Sequence, residues 1–408
     1  MALGTQSDTN RVLLRLRAEA TYKTPPGGTY DELPFTGEGL VQENRSQSSD
    51  TVSSKRRTTD VFRQEILARG PTRGNMQFAA FDPILPACLF SAGYSTPGSD
   101  IVSTTIGHVS KATAGGAAEI TSTGGILAPV PLYAIILVSG ATTNGTNVCK
   151  VTAKPDNDTL EVVVISRTAD FVDEASGDSV TIQEFAQIVD GITCTSFTME
   201  REYTDLTATF AQFVGMVPDT IALEWPADNR ATIEVNWLGS NETEPTPNAT
   251  DASATNAVPT TKIMRGNSVG NVILENGRVV EWTRFRMSHA NQLRNRTAGG
   301  VEGAISVGAG RGQTEGQLEI YHEDDPPVVA DANGFVESNI LASFIDETPA
   351  GSPTGPNYLV VDIPSMHFTQ ASRPANAGDQ DVILTLPWIA LENVAQDTQV
   401  RIAKLAGA

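Results

Sequence analysis

The chain has 408 residues, 40% of them hydrophobic, with 28 basic and 48 acidic side chains and a formal net charge of −20. That length suits two or three domains with real cores. The acid excess excludes a protein that grips nucleic acid, because duplex DNA is itself a dense polyanion. The cysteines Cys88, Cys149 and Cys194 are widely spaced with no CxxC, which argues against a disulfide framework and a cysteine zinc site.

The first ten residues are polar with no apolar core of a secretory signal, so synthesis in the cytoplasm is expected. No apolar run reaches membrane-spanning length; the best, Ile126 to Val138, is broken by Pro129 and Pro131. Residues 1–75 hold 11 basic and 9 acidic side chains, against 17 and 39 in the remainder. A mildly basic arm on an acidic body suits contacts between copies. Arg11, Arg15, Arg17, Arg45, Lys55, Arg56 and Arg57 are the candidates. The segment Tyr22 to Asp60 has the composition of a long extended loop, and so long a structureless stretch is usually functional. Deleting residues 40–60 is expected to leave folded subunits that no longer polymerise.

Val61 to Leu67 and Gly74 to Phe78 read as a strand pair leading into a helix over Ala79 to Phe90, with Pro86 shortening it and Gly93 as its stop. From Ile101 the composition turns to Ser, Thr, Gly and Ala. Short β-branched runs at Tyr133–Val138, Asn147–Ala153, Leu160–Ile165 and Ser179–Ile182, parted by turn signals, predict a self-contained β-module over 101–190. Alternation resumes at Ser196–Glu200, Phe210–Met216, Thr220–Trp225 and Thr232–Leu238. A polar Pro/Thr/Asn/Ala stretch, 241–261, reads as a linker. Further strands are predicted in Asn271–Met287, Gly316–His322, Tyr358–Ile363 and Asp381–Leu391, with a second short helix over Phe335–Ile345.

Two segments recur in the same order. Thr72-Arg73-Gly74-Asn75-Met76-Gln77-Phe78 resembles Thr314-Glu315-Gly316-Gln317-Leu318-Glu319-Ile320, and Ile233 to Gly239 resembles Leu384 to Ala390, with Trp237 and Trp388 at one place. The first pair lies 242 residues apart and the second 151; the 101–190 module accounts for the difference. The chain therefore reads as two related β-rich units, the first interrupted. Residues 1–100 and 191–240 form the first, 262–408 the second, with 241–261 between them. Fusion of two copies turns a six-membered ring into a three-membered one. Trp237 and Trp388 are assigned to core or inter-subunit packing.

Motifs of chemistry are weak. His108, His289, His322 and His367 form no HxH or HExxH pair. His322-Glu323-Asp324-Asp325 reads as a solvated turn rather than a cation site. Gly308-Ala309-Gly310-Arg311-Gly312 lacks the lysine of a phosphate loop, and no GxSxG is present.

Glu19-Ala20-Thr21-Tyr22-Lys23-Thr24-Pro25, Leu33-Pro34-Phe35-Thr36-Gly37-Glu38-Gly39-Leu40, Arg56, Asp60, Thr72-x-Gly74 and Phe81-Asp82 resemble the major tail tube protein of long-tailed, siphovirus-type bacteriophages. Ser196-Phe197-Thr198-Met199-Glu200 and Phe213-x-Gly215-Met216 extend the likeness. The resemblance implies a mainly β chain, two tandem tail-tube-type β-sandwich units each with a flanking short helix, forming a β-barrel ring on assembly, plus the inserted small β domain on the outside. It implies a structural protein of the virion tail, not an enzyme, without cofactor or metal. Stacked, trimeric and pseudo-hexameric rings would surround an acidic lumen that conducts DNA without binding it tightly. The partners implied are further copies of the chain, a tape measure protein, a tail terminator and distal tail or baseplate proteins, with no membrane. The rival reading is a carbohydrate- or cell-surface-binding β-protein using the 101–190 module; a hydrolase acting through acidic residues comes third, with no motif to recommend it.

Overall fold

A computed structural model describes residues 8, 11–50, 57–58, 60–110, 118–165, 171–206, 209–243, 252–258, 262–265, 271–274, 278–301, 303–322, 327–345, 356–373 and 381–406. The chain is mainly β. It begins with β1 (Val12–Ala18), β2 (Gly28–Glu32), β3 (Gly37–Glu38), β4 (Val41–Ser48) and the long β5 (Val61–Asn75), then the one-turn helix α1 (Leu85–Cys88). There follow β6 (Ile101–Ser103), β7 (Gly107–Val109), β8 (Ala118–Thr121), β9 (Ile135–Ala141), β10 (Gly145–Ala153), β11 (Thr159–Val164) and β12 (Val180–Glu184). Next come β13 (Ala186–Val189), β14 (Phe197–Tyr203), β15 (Phe210–Pro226), β16 (Thr232–Gly239), β17 (Asn241–Thr243) and β18 (Ala252–Asn256). The last part holds β19 (Asn271–Leu274), β20 (Arg278–Val280), β21 (Trp282–Ala290), β22 (Arg294–Arg296), β23 (Ser306–Gly308), β24 (Gln313–Tyr321) and helix α2 (Pro327–Gly334). It closes with β25 (Glu337–Ile345), β26 (Tyr358–Phe368), β27 (Ile383–Ala390) and β28 (Arg401–Leu405).

The pairings repeat. In the first part the antiparallel neighbours run β2-β1-β14-β15-β16-β5-β4. In the last part they run β20-β19-β25-β26-β27-β24-β21. Each series visits its strands in the same chain order, and each places its helix after the β5 or β24 strand. These are two tandem units of one topology. The copies differ in register: Trp388 lies opposite Gly316, whereas Trp237 lies opposite Gly70 rather than Gly74. That four-residue offset is even, so both tryptophans stay on the core face. The units join where β15 pairs with β21, from Thr220↔Ala290 to Pro226↔Arg284, and they share one hydrophobic core. Across the joint, Trp225 stacks on Phe344 with ring centroids 4.2 Å apart.

The interruption is a separate seven-stranded sheet, β6-β12-β9-β10-β11-β8-β7, with its own core around Ile136, Val138, Val151 and Val162. The sheet ends at Glu184; β13, inside the expected 101–190 span, pairs instead with β28 of the body. A second apolar cluster seats this sheet on the body, joining Ile135, Leu137 and Phe185 to Leu341, Val360 and Ala403.

Several expectations change. Val61–Leu67 and Gly74–Phe78 are not a strand pair: Val61 to Asn75 is one strand, paired by β4 and β16 in turn. The helix expected over Ala79–Phe90 shrinks to Leu85–Cys88, preceded by turns, with Pro86 in its first turn. The helix expected over Phe335–Ile345 is strand β25, and the helix lies before it, at Pro327–Gly334. Ile340, Ala342 and Phe344 pack in the main core while Leu341 packs under the inserted sheet. A strand buried on both faces reads as a continuous apolar run, which periodicity cannot separate from a helix. The expected linker 241–261 contributes β17 to β15 and β18, in parallel, to β2; strand addition through main-chain bonds needs no side-chain pattern.

Candidate assembly interface

Several of the residues that carry the family likeness converge on one carboxylate. Glu19, just after β1, accepts hydrogen bonds from Lys23 N (2.9 Å), Ser196 Oγ (2.6 Å), Thr198 Oγ1 (2.8 Å) and Gly215 N (2.9 Å). The N-terminal motif is thereby tied to β14 and to the bend of β15. Gly215 sits at φ +68, and a Cβ there would stand 2.9 Å from Tyr22 Cζ, so only glycine lets this ring close over the bend. Phe81-Asp82 is likewise structural: Asp82 pairs with Lys404, and the Phe81 ring lies against Gly74. Replacing Glu19 by Ala leaves buried donors on three segments unpaired. We expect a loss of about 3 kcal/mol, read by chemical denaturation, and no recovery with Gln, which cannot accept at both oxygens.

The run β5-β16-β15-β21-β24-β27 has two contrasting faces, because side chains alternate along each strand. One is core: Ile233, Leu223, Met287 and Trp388 lie in adjoining register and are buried. The other is exposed and charged. Arg73 lies opposite Glu234, with Nε 2.9 Å from Oε2, and that bond holds its guanidinium above the ordinary arginine range. Arg284 reaches Glu224 (3.2 Å) and Glu319 (3.4 Å). Arg69 is bonded to Glu43 of β4 at 2.6 Å, and Arg286 lies opposite Glu224. With Glu315, this face sets four glutamates against the four arginines, and Glu43 of the adjoining β4 adds a fifth. Its arginines were not singled out as a group from the sequence. The available signal was alternation, with Arg284 and Arg286 two apart on β21.

The β4–β5 hairpin extends beyond the body. β16 pairs with β5 only from Ala68 to Asn75, so Val61 to Leu67 have β4 alone. Val61 and Phe62 are 60% and 48% exposed there. Large apolar groups on a protruding element mark a surface that a partner covers. Of the candidate contact residues, Arg11 and Arg57 are exposed, Arg17 donates to Thr29 O, and Arg45 pairs with Glu65 on the hairpin. Lys55 and Arg56 lie outside the described residues. Arg15 differs from the others: it is buried against Glu200 and Glu202, where it holds β1 to β14. Trp237 and Trp388 are both buried in the chain's own core; Trp237 donates to Thr72 Oγ1 at 2.8 Å.

A second feature escaped the sequence. Asp362 of β26, 0% exposed, binds Lys150 of the inserted sheet at 2.7 Å and Arg401 of β28 at 3.0 Å. Arg401 also donates to Tyr133 O at 2.9 Å. Burial pushes the Lys150 ammonium below the usual lysine range, against the pull of Asp362. No local pattern marks residues so far apart in sequence.

Among the described residues no cluster of three or more His, Cys, Asp or Glu could hold a metal ion. Cys88 and Cys149 are buried, Cys194 is exposed, and none of the three is in a disulfide. His322 follows β24, while Glu323 to Asp325 lie outside the described residues. Gly308 to Gly312 connect β23 to β24, a strand rather than a helix. His289 is buried between Thr314 and Asn291, and that burial lowers its pKa. No described helix is long and apolar enough to cross a membrane. A family model described as phage tail tube protein matches residues 9–390. No curated protein matches the chain.

Proposed function

The chain belongs to the phage tail tube protein family, and from that premise we propose that it is the structural subunit of a siphovirus-type tail tube, self-assembling into stacked rings in the virion tail. The observation that carries the reading is the duplicated topology with its internal joint. Where β15 of the first unit meets β21 of the second, the chain already contains one junction between tube units. Applying the same operation again brings the β26 side of one chain to β4 of the next. Three chains would close a ring of six pseudo-equivalent units, and closure would remove the exposed edge that β4 otherwise offers for aggregation.

In this reading residues 1–100 and 191–240 form the first unit, 262–408 the second, and 101–190 an outward module. The exposed face of β5-β16-β15-β21-β24-β27 lines the lumen, and the β4–β5 hairpin with Arg11, Arg17, Arg45, Lys55, Arg56 and Arg57 reaches the next ring. The lumen wall would then be only slightly acidic, with most of the chain's excess acid on other surfaces. The protein acts without catalysis or cofactor. It is made in the host cytoplasm, and meets a tape measure protein, a tail terminator and distal tail or baseplate proteins. Negative-stain microscopy of the purified protein tests this: hollow rods with threefold rings are expected, and dispersed monomers at every concentration would overturn it.

A further inference from the structure

Resting on that reading, we propose that Asn44 of one chain locks the junction with the next copy, donating its carboxamide to the end of helix α2 and to the bend of β26 there. The internal joint supplies the pattern. Asn291, directly after β21, is buried and donates from Nδ2 to Cys88 O at the end of α1 (2.9 Å) and to Pro218 O in β15 (3.1 Å). Its backbone N–H bonds Asp219 O at 2.7 Å. One residue of the second unit thus ties down a helix end and a strand of the first.

The second unit carries the same receiving surface, uncovered. Phe90 and Phe335 both take φ +51 after their helices. Phe90 N bonds Ala87 O and Phe335 N bonds Ala332 O; Ser91 N bonds Pro86 O and Val336 N bonds Asp331 O. Cys88 therefore corresponds to Asn333. The strands correspond as well. Pro218 lies opposite Trp237 and Ala222 opposite Glu234; Phe368 lies opposite Trp388 and Ser372 opposite Thr385. Four steps face three in both, the mark of one bulge at one place, so Pro218 corresponds to Phe368. Burial is what differs. Cys88 and Phe90 are buried, whereas Asn333 is exposed and Phe335 and Val336 are 62% and 43% exposed. Among the described residues none bonds Asn333 O.

The donor follows from register. Val41 lies opposite Arg69 and Ser288 opposite Glu315. Arg69 and Glu315 in turn face Leu238 and Ile389, the residues after the two tryptophans. Val41 thus corresponds to Ser288 and, three residues on, Asn44 to Asn291. Asn44 lies opposite Ile66, two residues from the core residue Ala68. Alternation puts it on the face where the helices pack, yet it is exposed. A second copy whose β4 continues the sheet at β26 brings this asparagine to Asn333 O and Phe368 O.

Cysteines at Val41 and Ser372 test the placement without touching Asn44, because the matching internal pair is Ser288↔Ala222. Residues opposite one another on antiparallel strands lie about 4.5–5.5 Å apart, within reach of a disulfide. Tubes of the chain with Val41→Cys, Ser372→Cys and Cys194→Ser, mildly oxidised, are expected to run on a non-reducing gel as a covalent ladder ending at three chains. Asn44→Ala is the second measurement. It is expected to raise the concentration at which tubes form about tenfold, through the lost hydrogen bonds, and to leave the melting of dispersed subunits unchanged. Asn291→Ala, at the internal joint, should lower that melting temperature. Assembled tubes of the cysteine chain without inter-chain disulfides would overturn the proposal, as would Asn44→Ala tubes forming at the wild-type concentration. If the cysteine chain does not assemble, Asn44→Ala alone decides. Failure of the wild-type chain to form tubes overturns the proposed function instead.

Discussion

Replacing Asp362 by Ala will destabilise the protein by roughly 3–5 kcal/mol, the largest single-site effect expected, because it strands two cations in a place closed to water. Lys150 and Arg401 converge on this carboxylate from the inserted sheet and from β28. Removing it leaves both without a counter-charge, whereas replacing all three groups by apolar residues removes the problem itself. The combination Lys150→Met, Asp362→Leu and Arg401→Met is therefore expected to recover most of the loss. Urea denaturation followed by tryptophan fluorescence reads both variants. A D362A chain as stable as wild type would mean that water reaches the site. The same carboxylate also fixes the seating of the inserted sheet, which otherwise rests on the apolar contacts of Phe185, Leu137 and Ile135. Proteolysis between Gly98 and Ile101 should accelerate in D362A.

The second large effect concerns assembly and leaves folding intact. Replacing residues 47–62 by Asn-Gly closes the β4–β5 hairpin with a tight turn after Ser46↔Arg63. This removes Val61 and Phe62 and keeps the pairs that β4 makes near the body. The wider deletion of 40–60 is less suitable: Leu40 is buried in the core, and Gln42 accepts a hydrogen bond from Glu242 N. Unchanged melting behaviour is expected with complete loss of tubes by microscopy. Tubes of ordinary length from the shortened chain would remove the hairpin from the inter-ring contact.

Legibility differed between elements for identifiable reasons. Strands with one wet face, such as Thr232–Gly239, announce themselves because burial alternates along them. β25 does not, since both of its faces are covered, one by the core and one by the inserted sheet. β18 carries no pattern because β2 holds it by main-chain bonds. Arg15 looked like its neighbours Arg11 and Arg17. Only pairing with β14 puts Glu200 beside it and takes it out of solvent.

The amino-acid order alone determined the β class, the doubling of the unit, the interruption near Ile101 and the family motifs. All of these are local patterns of alternation, turn chemistry and repetition. Tertiary structure alone decided which charges meet. Glu19 gathers donors from three segments, Arg73 finds Glu234, and Asp362 is shared by Lys150 and Arg401. An ion pair depends on a few ångströms between side chains from strands far apart in the chain, and register is a property of the folded sheet.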